Sequence, residues 1–403
     1  MHIVIAGQTY SPASNGQAVF TTHLAEGLAR AGHQVMAIVP SNSRQASCRF
    51  SNGVQVQAIS SIPLAPLYPD VYFTLFPGRQ VGRLLDEFTP DVVHIQDHYP
   101  ISSAVVAAAR GRQIHTIGTN HFLPENIVHY LPAPAWSRPL LNRLLWATML
   151  QVYNRLELVT TPTETAARIL RQQRIRVPVY PVSCGVDLAR FRPDPTVDRD
   201  GLRRRYGLDP ARTLFLFVGR IDQEKRLDVL LKAMRHLARD DVQLGIAGRG
   251  RHAQALQALA GQLELGDRAV FTGYVPAGDL PALLNSADVF VMPSEAELQS
   301  IATLEAMACG RPILAADARA LPELVENGVN GYLFRPGDPA DAAGRMLQLL
   351  EERGRWPAFG AASLARAQTH DTGNTVQRYL ELYRSLSLAT RPIVAPLWRI
   401  AAR

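Results

Sequence analysis

The chain is 403 residues long, which suits two domains, each with room for its own apolar core. Hydrophobic residues make up 47% of it, yet no apolar run nears the ~18 residues that a membrane-spanning helix needs. Forty-two Lys and Arg against 35 Asp and Glu give a net charge of +7, suited to a polyphosphate, anionic lipid or nucleic acid. With no zinc-finger spacing, no aromatic RNA-binding motif and no long basic tract, nucleic acid ranks last of these.

The first predicted strand, His2–Ala6, is too short for a secretory signal and runs straight into a Gly/Ser/Pro loop. That loop carries Ser14-Asn15-Gly16. Gly16 would let the backbone approach a ligand just where a helix begins and favours an anion, although an ordinary turn glycine would read the same way. Helical spacing over Ala18–Ala31 ends at Gly32, a good residue on which to leave a helix. Short apolar runs recur at Gln34–Pro40, Val54–Ile59, Asp91–Gln96, Gln113–Thr119 and Leu156–Thr161. Strands alternating with helices predict a parallel sheet covered on both faces. His121, in GTNHFLPEN, follows one of these strands, where it can donate to a hydroxyl or serve only as a structural loop residue. His98, in QDHYP, is the weaker candidate.

The first half closes near Ser183–Asp187, and Phe191–Asp200 follows as a Pro/Asp-rich surface segment. The alternation restarts at Thr213–Gly219, Val242–Ala247, Ala269–Thr272, Asp288–Met292 and Arg311–Ala315. Two doubly wound α/β units in tandem result, residues 1–184 and 185–372, with the boundary close to Cys184. Ligands bind beyond the C-terminal ends of such strands, and the chemistry-bearing residues gather there, after Ala6, Thr119, Val218 and Met292. Arg220 and Lys225 offer a diphosphate a bidentate guanidinium and a compact point charge. After Asp288–Met292, a helical pattern starts near Ser300 and continues through Ile301, Leu304, Glu305 and Met307 to Gly310. Glu297 falls in the strand-to-helix loop and Glu305 about one turn inside the helix, with free backbone amides between them. Helix amides bind anions and carboxylates accept hydrogen bonds from hydroxyls, so this arrangement suits a sugar attached to a diphosphate. The three cysteines (Cys48, Cys184, Cys309) lack metal-ligand spacing, and their odd number fits a reducing, cytoplasmic setting.

SEAELQSIATLEAMA (Ser294–Ala308) resembles the signature of retaining family 4 (group 1) glycosyltransferases. VGRIDQEKRLDVLLKAM (Val218–Met234), PVSCGVDLARFRP (Pro181–Pro193) and ALPELVENGVNGYLFRPGD (Ala320–Asp338) resemble further segments of that family in its order. The resemblance runs from Met1 to about residue 340. It implies the GT-B fold, two Rossmann-like domains facing across a cleft, with a terminal helix (residues 373–403 at most) that packs back on the first domain. It further implies that Arg220 and Lys225 stabilise the leaving diphosphate, that Glu297 holds sugar hydroxyls and that Glu305 holds the ribose. The backbone of Gln299, Ser300, Ile301 and Ala302 would face sugar and phosphates, and His121 would lie close to the transferred sugar. Transfer would proceed by front-face departure and attack, the leaving phosphate accepting the proton. The chain departs from the family at Asn15, where Gly is usual, and at Leu298-Gln299, where many relatives have Phe-Gly. A metal is not expected, because the one Asp-x-Asp, Asp198-Arg199-Asp200, lies in a surface segment.

On the acceptor side, Ile62–Gly78 is an aromatic, proline-broken apolar loop. Trp136–Tyr153 reads as a basic amphipathic helix with Leu140, Leu141, Leu144, Leu145 and Met149 on one face and Arg138, Arg143, Trp136 and Trp146 beside them. It reads equally as an interfacial anchor and as a core helix. The last stretch, Arg391–Arg403, also mixes basic and apolar residues. With the net positive charge, these features favour a lipid acceptor such as diacylglycerol or a glycolipid, while the resemblance implies a nucleotide-diphosphate hexose as donor, UDP-linked in the leading reading, with GDP left open. The protein would then work peripherally on the anionic inner face of the cell membrane. The alternative is the same chemistry on a soluble small-molecule or saccharide acceptor. The oligomeric state is left open.

Overall fold

The computed structural model describes residues 1–10, 16–63, 72–125 and 134–388. Ser14 and Asn15, residues 64–71 of the Ile62–Gly78 loop and the Arg391–Arg403 stretch lie outside the described residues. Contacts divide the chain into two compact units. Unit 1 comprises Met1–Thr161, Ala167–Val182 and the chain from Gly373 onward, and unit 2 comprises Pro162–Ala166 and Ser183–Thr372.

Among the described residues, unit 1 has ten strands: β1 (His2–Ala6), β2 (Gln34–Pro40), β3 (Ser47–Ser51), β4 (Val54–Ile59), β5 (Ile62–Pro63), β6 (Tyr72–Phe73), β7 (Val92–Ile95), β8 (His115–Thr119), β9 (Leu158–Thr161) and β10 (Val179–Pro181). Eight of them form one sheet in the order β10-β9-β8-β7-β1-β2-β4-β3, while β5 and β6 pair by themselves. Every pairing in the large sheet is parallel except the edge pair β3–β4. The central strands are apolar because both of their faces are covered, and Ile3, Val4, Val93 and Ile117 are fully buried. Strand β3 escaped the periodicity reading because its side chains, Phe50 included, are exposed. Its signal lies in the connection to β4: Asn52 (φ 48°) and Gly53 (φ 80°) form the Asn-Gly turn that such hairpins require. Strand β8 starts two residues later than expected, since Gln113, with φ 58°, belongs to the turn that ends the preceding helix.

The helix Thr372–Leu388 completes this unit through Val376, Tyr379, Leu380 and Tyr383, all buried. Tyr383 Oη meets His94 Nδ1 at 2.7 Å, and Tyr379 Oη lies 3.0 and 3.1 Å from the hydroxyls of Thr160 and Thr119. Burial pushes the His94 imidazole down to about 3, so this lock is made by a neutral ring. Gly27 admits the helix: a Cβ there would stand 2.5 Å from Val376 Cγ2.

Unit 2 holds β11 (Thr213–Val218), β12 (Val242–Ala247), β13 (Ala269–Gly273), β14 (Val289–Met292), β15 (Ile313–Ala316) and β16 (Gly331–Phe334). They form an all-parallel sheet in the order β13-β12-β11-β14-β15-β16. Phe215, Phe217, Leu244, Ile246, Phe290, Val291 and Leu314 make up the middle of its core. Both sheets reverse their winding, between β1 and β7 in unit 1 and between β11 and β14 in unit 2. Such switch points open crevices at the C-terminal strand ends.

Candidate active site

At the carboxyl edge of unit 2, the loops after β11 and β14 are fastened together. Ser294 Oγ donates to the Glu224 carbonyl at 3.3 Å, the Glu295 amide reaches the same oxygen at 3.4 Å, and Arg226 pairs with Glu295. Lys225 lies in the short helical turn Gln223–Lys225, and its Nζ meets Glu297 Oε1 at 2.5 Å with both side chains largely buried. Only two of the 42 basic residues are lysines, Lys225 and Lys232. Lys225 thus presents a compact point charge where most basic residues of the chain present a guanidinium fork. Arg220 pairs with Asp222 at 2.7 Å and with Glu224 at 2.9 Å while half its side chain faces solvent.

Glu297 and the helix Ile301–Ala308 flank a run of backbone amides. Ser300 caps that helix, its Oγ accepting from the Thr303 amide at 3.3 Å and from Thr303 Oγ1 at 2.8 Å. The Ile301 and Ala302 amides have no hydrogen-bond partner among the described residues, as the first turn of any helix dictates. Gln299 turns its side chain away: Oε1 accepts from the Cys184 amide at 2.7 Å, and Nε2 donates to Ser183 Oγ at 3.1 Å. Glu305 keeps some accessible surface, yet the crowding of protein atoms pushes its carboxyl up to about 7, against a small opposing pull from Arg190. No described residue hydrogen-bonds that carboxyl.

The structure therefore gathers Arg220, Lys225, Glu297, Gln299, Ser300, Ile301, Ala302 and Glu305 on one sheet edge of unit 2. Gly16 and His121 belong to unit 1. Gly16 opens the helix Gly16–Arg30. His121 Nε2 donates to Gln96 Oε1 at 2.9 Å, and its ring lies 4.7 Å from that of Phe20. Burial pushes the His121 imidazole down to about 3, so it acts as a neutral hydrogen-bonding group. Its neighbourhood contains residues that the sequence reading passed over. Asp97, directly after β7, accepts from the Gln8 amide at 2.5 Å, the Tyr99 amide at 3.0 Å, Ser102 Oγ at 2.7 Å and Gln17 Nε2 at 3.1 Å. The available signal was position: Gln96-Asp97-His98 occupies the strand end next to the switch point.

Asp198 is a helix cap, its carboxylate accepting from the Gly201 amide at 2.9 Å, and Asp200 faces Arg204. A cavity of about 320 Å³ lies at the opposite, amino edge of the unit 2 sheet, lined by Arg199, Arg203, Arg212 and Asp288 among others. Arg199 and Arg203 are held by Asp288 at 2.6 and 2.8 Å, and none of the motif residues reaches it. The helix Arg138–Tyr153 corrects the single apolar face expected of it. Trp146, Met149, Val152 and Tyr153 are buried, Trp146 Nε1 donating to Glu125 at 3.1 Å, whereas Trp136, Leu140 and Leu144 are 82, 61 and 55% exposed. The helix is a core element at its C-terminal end and an apolar outer surface at its N-terminal end. No helix among the described residues is long and apolar enough to cross a membrane.

Two parallel α/β units, each with its chemistry-bearing residues at the carboxyl edge, define a protein of the GT-B class. The chain superposes on a sucrose-phosphate synthase from Thermosynechococcus elongatus with a TM-score of 0.78 at 20% identity, over 97% of this chain and 100% of that one. Residues 14–190 match the family model described as Glycosyltransferase Family 4, and residues 198–363 match that of glycosyl transferases group 1. D-inositol 3-phosphate glycosyltransferase 1 of Catenulispora acidiphila is 31% identical, over 77% of this chain and 79% of its own. Alpha-monoglucosyldiacylglycerol synthase of Streptococcus pneumoniae is 26% identical, over 87% and 78%. The chain belongs to the group 1, family 4 glycosyltransferases, and it is a glycosyltransferase enzyme.

Proposed function

We propose that this protein moves a hexose from a UDP-sugar, with retention and without a metal, to a lipid acceptor such as diacylglycerol or a glycolipid. The observation that carries the donor half is the Lys225–Glu297 pair beside the open amides of Ile301 and Ala302. A diphosphate entering there offers Lys225 and Arg220 a stronger partner than the carboxylates they now hold, and frees Glu297 for sugar hydroxyls. Charge that grows on the leaving phosphate meets two cations already in place, which is the kind of stabilisation worth most in a transition state. Double displacement would need a carboxylate free to attack the anomeric carbon; once the donor is bound, Glu297 holds sugar hydroxyls in this reading. Front-face transfer, with the leaving phosphate taking the acceptor proton, asks no nucleophile of the chain.

The lipid half rests on the outward Trp136, Leu140 and Leu144 with Arg138 and Arg143 exposed on the same helix, a pattern suited to an anionic membrane surface. The protein would act peripherally at the inner face of the cell membrane. A soluble acceptor is the second reading, favoured by the likeness to proteins named D-inositol 3-phosphate glycosyltransferases. The test is incubation with UDP- and GDP-sugars, with and without lipid extract, and identification of the product by mass. A sugar-lipid product formed from the UDP donor is the expected result. A product confined to the aqueous phase would hand the lead to the soluble reading.

A further inference from the structure

Unit 1 has its own ligand edge, where β8, β7 and β1 lie side by side and end at Thr119, Ile95 and Ala6. The residues that follow them are Gln8, Gln96, Asp97, His98 and Asn120. Gly7 brings two of these runs together, since a Cβ on it would stand 3.0 Å from Gln96 Cβ and 3.2 Å from Asp97 Oδ2. Gln8, Gln96, Asp97 and Asn120 are more than nine-tenths buried. Nevertheless Gln8 Oε1, Gln96 Nε2, His98 Nδ1 and Asn120 Oδ1 have no hydrogen-bond partner among the described residues, nor has Glu125 Oε2. Buried polar atoms are almost always satisfied, so an orphan cluster of this kind at a ligand edge marks a place that something else fills.

The orphans are of both kinds. Gln96 Nε2 can only donate, whereas Gln8 Oε1 and Asn120 Oδ1 can only accept. Hydroxyl groups do both; an ionised phosphate only accepts. The charge here points the same way. Asp97 is held by four neutral donors, Glu125 by the Trp146 indole, and no described Lys or Arg pairs with either. Aromatic rings complete the surroundings: Tyr99, Phe122 and Tyr153 stand 4.9, 5.7 and 6.4 Å from the His98 ring, with Tyr99 and Phe122 stacked 6.0 Å apart.

We propose that this edge binds the acceptor through an uncharged, hydroxyl-rich head group, a sugar or glycerol moiety, and rejects a phosphorylated one. The inference rests on the transfer reaction above and narrows its acceptor class. Gln8, Gln96 and Asn120 hold the hydroxyls, the aromatic rings pack against the carbon skeleton, and Asp97 and Glu125 repel a phosphate.

Ligand-observed NMR on the full chain, with myo-inositol and with inositol 3-phosphate as probes, tests binding without requiring turnover. Wild type should bind the unphosphorylated probe at least tenfold more tightly, and Asn120→Leu should weaken that binding severalfold. Gln8→Leu, checked with Asn120→Leu for folding by circular dichroism, should weaken the same probe severalfold. Equal or tighter binding of the phosphorylated probe overturns the proposal, as does a folded Asn120→Leu chain that binds myo-inositol as wild type does. In parallel, donor hydrolysis and transfer to diacylglycerol against phosphatidic acid report on the reaction itself. A chain that binds myo-inositol as expected but transfers to nothing defeats the transfer reading and leaves the site. One that transfers preferentially to phosphatidic acid defeats the site alone.

Discussion

At the carboxyl edge of unit 2, Lys225, Arg220 and Arg226 each face a carboxylate, whereas at the carboxyl edge of unit 1 Asp97 meets only neutral donors. The same doubly wound topology presents a charged, internally paired surface in one unit and a neutral, partly unsatisfied one in the other. The difference matches the two kinds of substrate a glycosyl transfer needs. A nucleotide diphosphate wants cations that are held in position before it arrives, and ion pairs hold them. A polyol wants directed neutral donors and acceptors, and Gln8, Gln96 and Asn120 each keep one open among the described residues.

The comparison is broken most sharply at the charged edge. Lys225→Ala and Arg220→Ala should each lower transfer by about a hundredfold, roughly 3 kcal/mol, with little change in folding. Steady-state rates alongside circular dichroism decide it; near-wild-type turnover in both mutants would remove the diphosphate from this edge. Next in size, Glu305→Ala should weaken UDP binding by roughly 1–3 kcal/mol, measured by calorimetry, while Glu297→Ala acts mainly on turnover. Glu305 also gives the edge a pH signature. Its carboxyl is raised from an ordinary 4.5 to about 7, so between those values the folded chain holds a proton that the unfolded chain has lost. Its contribution to stability therefore falls as pH rises through that window. A ribose hydroxyl prefers the ionised carboxylate, so UDP affinity should climb as pH passes 7, and Glu305→Gln should flatten that rise.

Smaller effects sharpen the contrast on the unit 1 side. Replacing Trp136, Leu140 and Leu144 together by Ser should lower vesicle sedimentation and lipid glycosylation about tenfold while donor hydrolysis is affected less. Arg138→Gln and Arg143→Gln should each cost about 1 kcal/mol of vesicle affinity at low salt, an effect that moderate salt screens away. Smallest of all, EDTA should change the transfer rate hardly at all; a rate that collapses and returns with added Mg²⁺ would demand a different account of the leaving group.

The charged edge was the legible one. Arg220, Lys225, Glu297 and Glu305 announce themselves by residue type and by position after apolar runs, and strands such as His2–Ala6, Gln34–Pro40 and Val242–Ala247 are marked by unbroken apolarity. What periodicity missed was structure without an apolar run. The exposed edge strand β3 depends on its Asn52-Gly53 turn, and β10 and β16 are only three and four residues long. The neutral edge was hidden for a related reason: Gln8, Gln96 and Asn120 are unremarkable residue types, and only the fold reveals that each is buried with one polar atom left without a partner among the described residues. The helix Arg138–Tyr153 misled because its leucines share a helical spacing whichever way the helix is rolled. The Trp146–Glu125 hydrogen bond sets that roll and sends Leu140 and Leu144 outward.

The helix Thr372–Leu388 carries a consequence for how the chain comes into being. Translation proceeds from the amino terminus, and most domains fold as soon as their own residues emerge. Unit 1 has to wait, because the tyrosines that bond His94, Thr119 and Thr160 are made only after the whole of unit 2. A ribosome that stalls, or a protease that cuts in the 183–372 stretch, leaves the first sheet with an open apolar face and buried-type polar groups in water. Unit 2, nearly continuous in sequence, is spared that dependence. An interrupted chain therefore lacks the tyrosines that close its first unit.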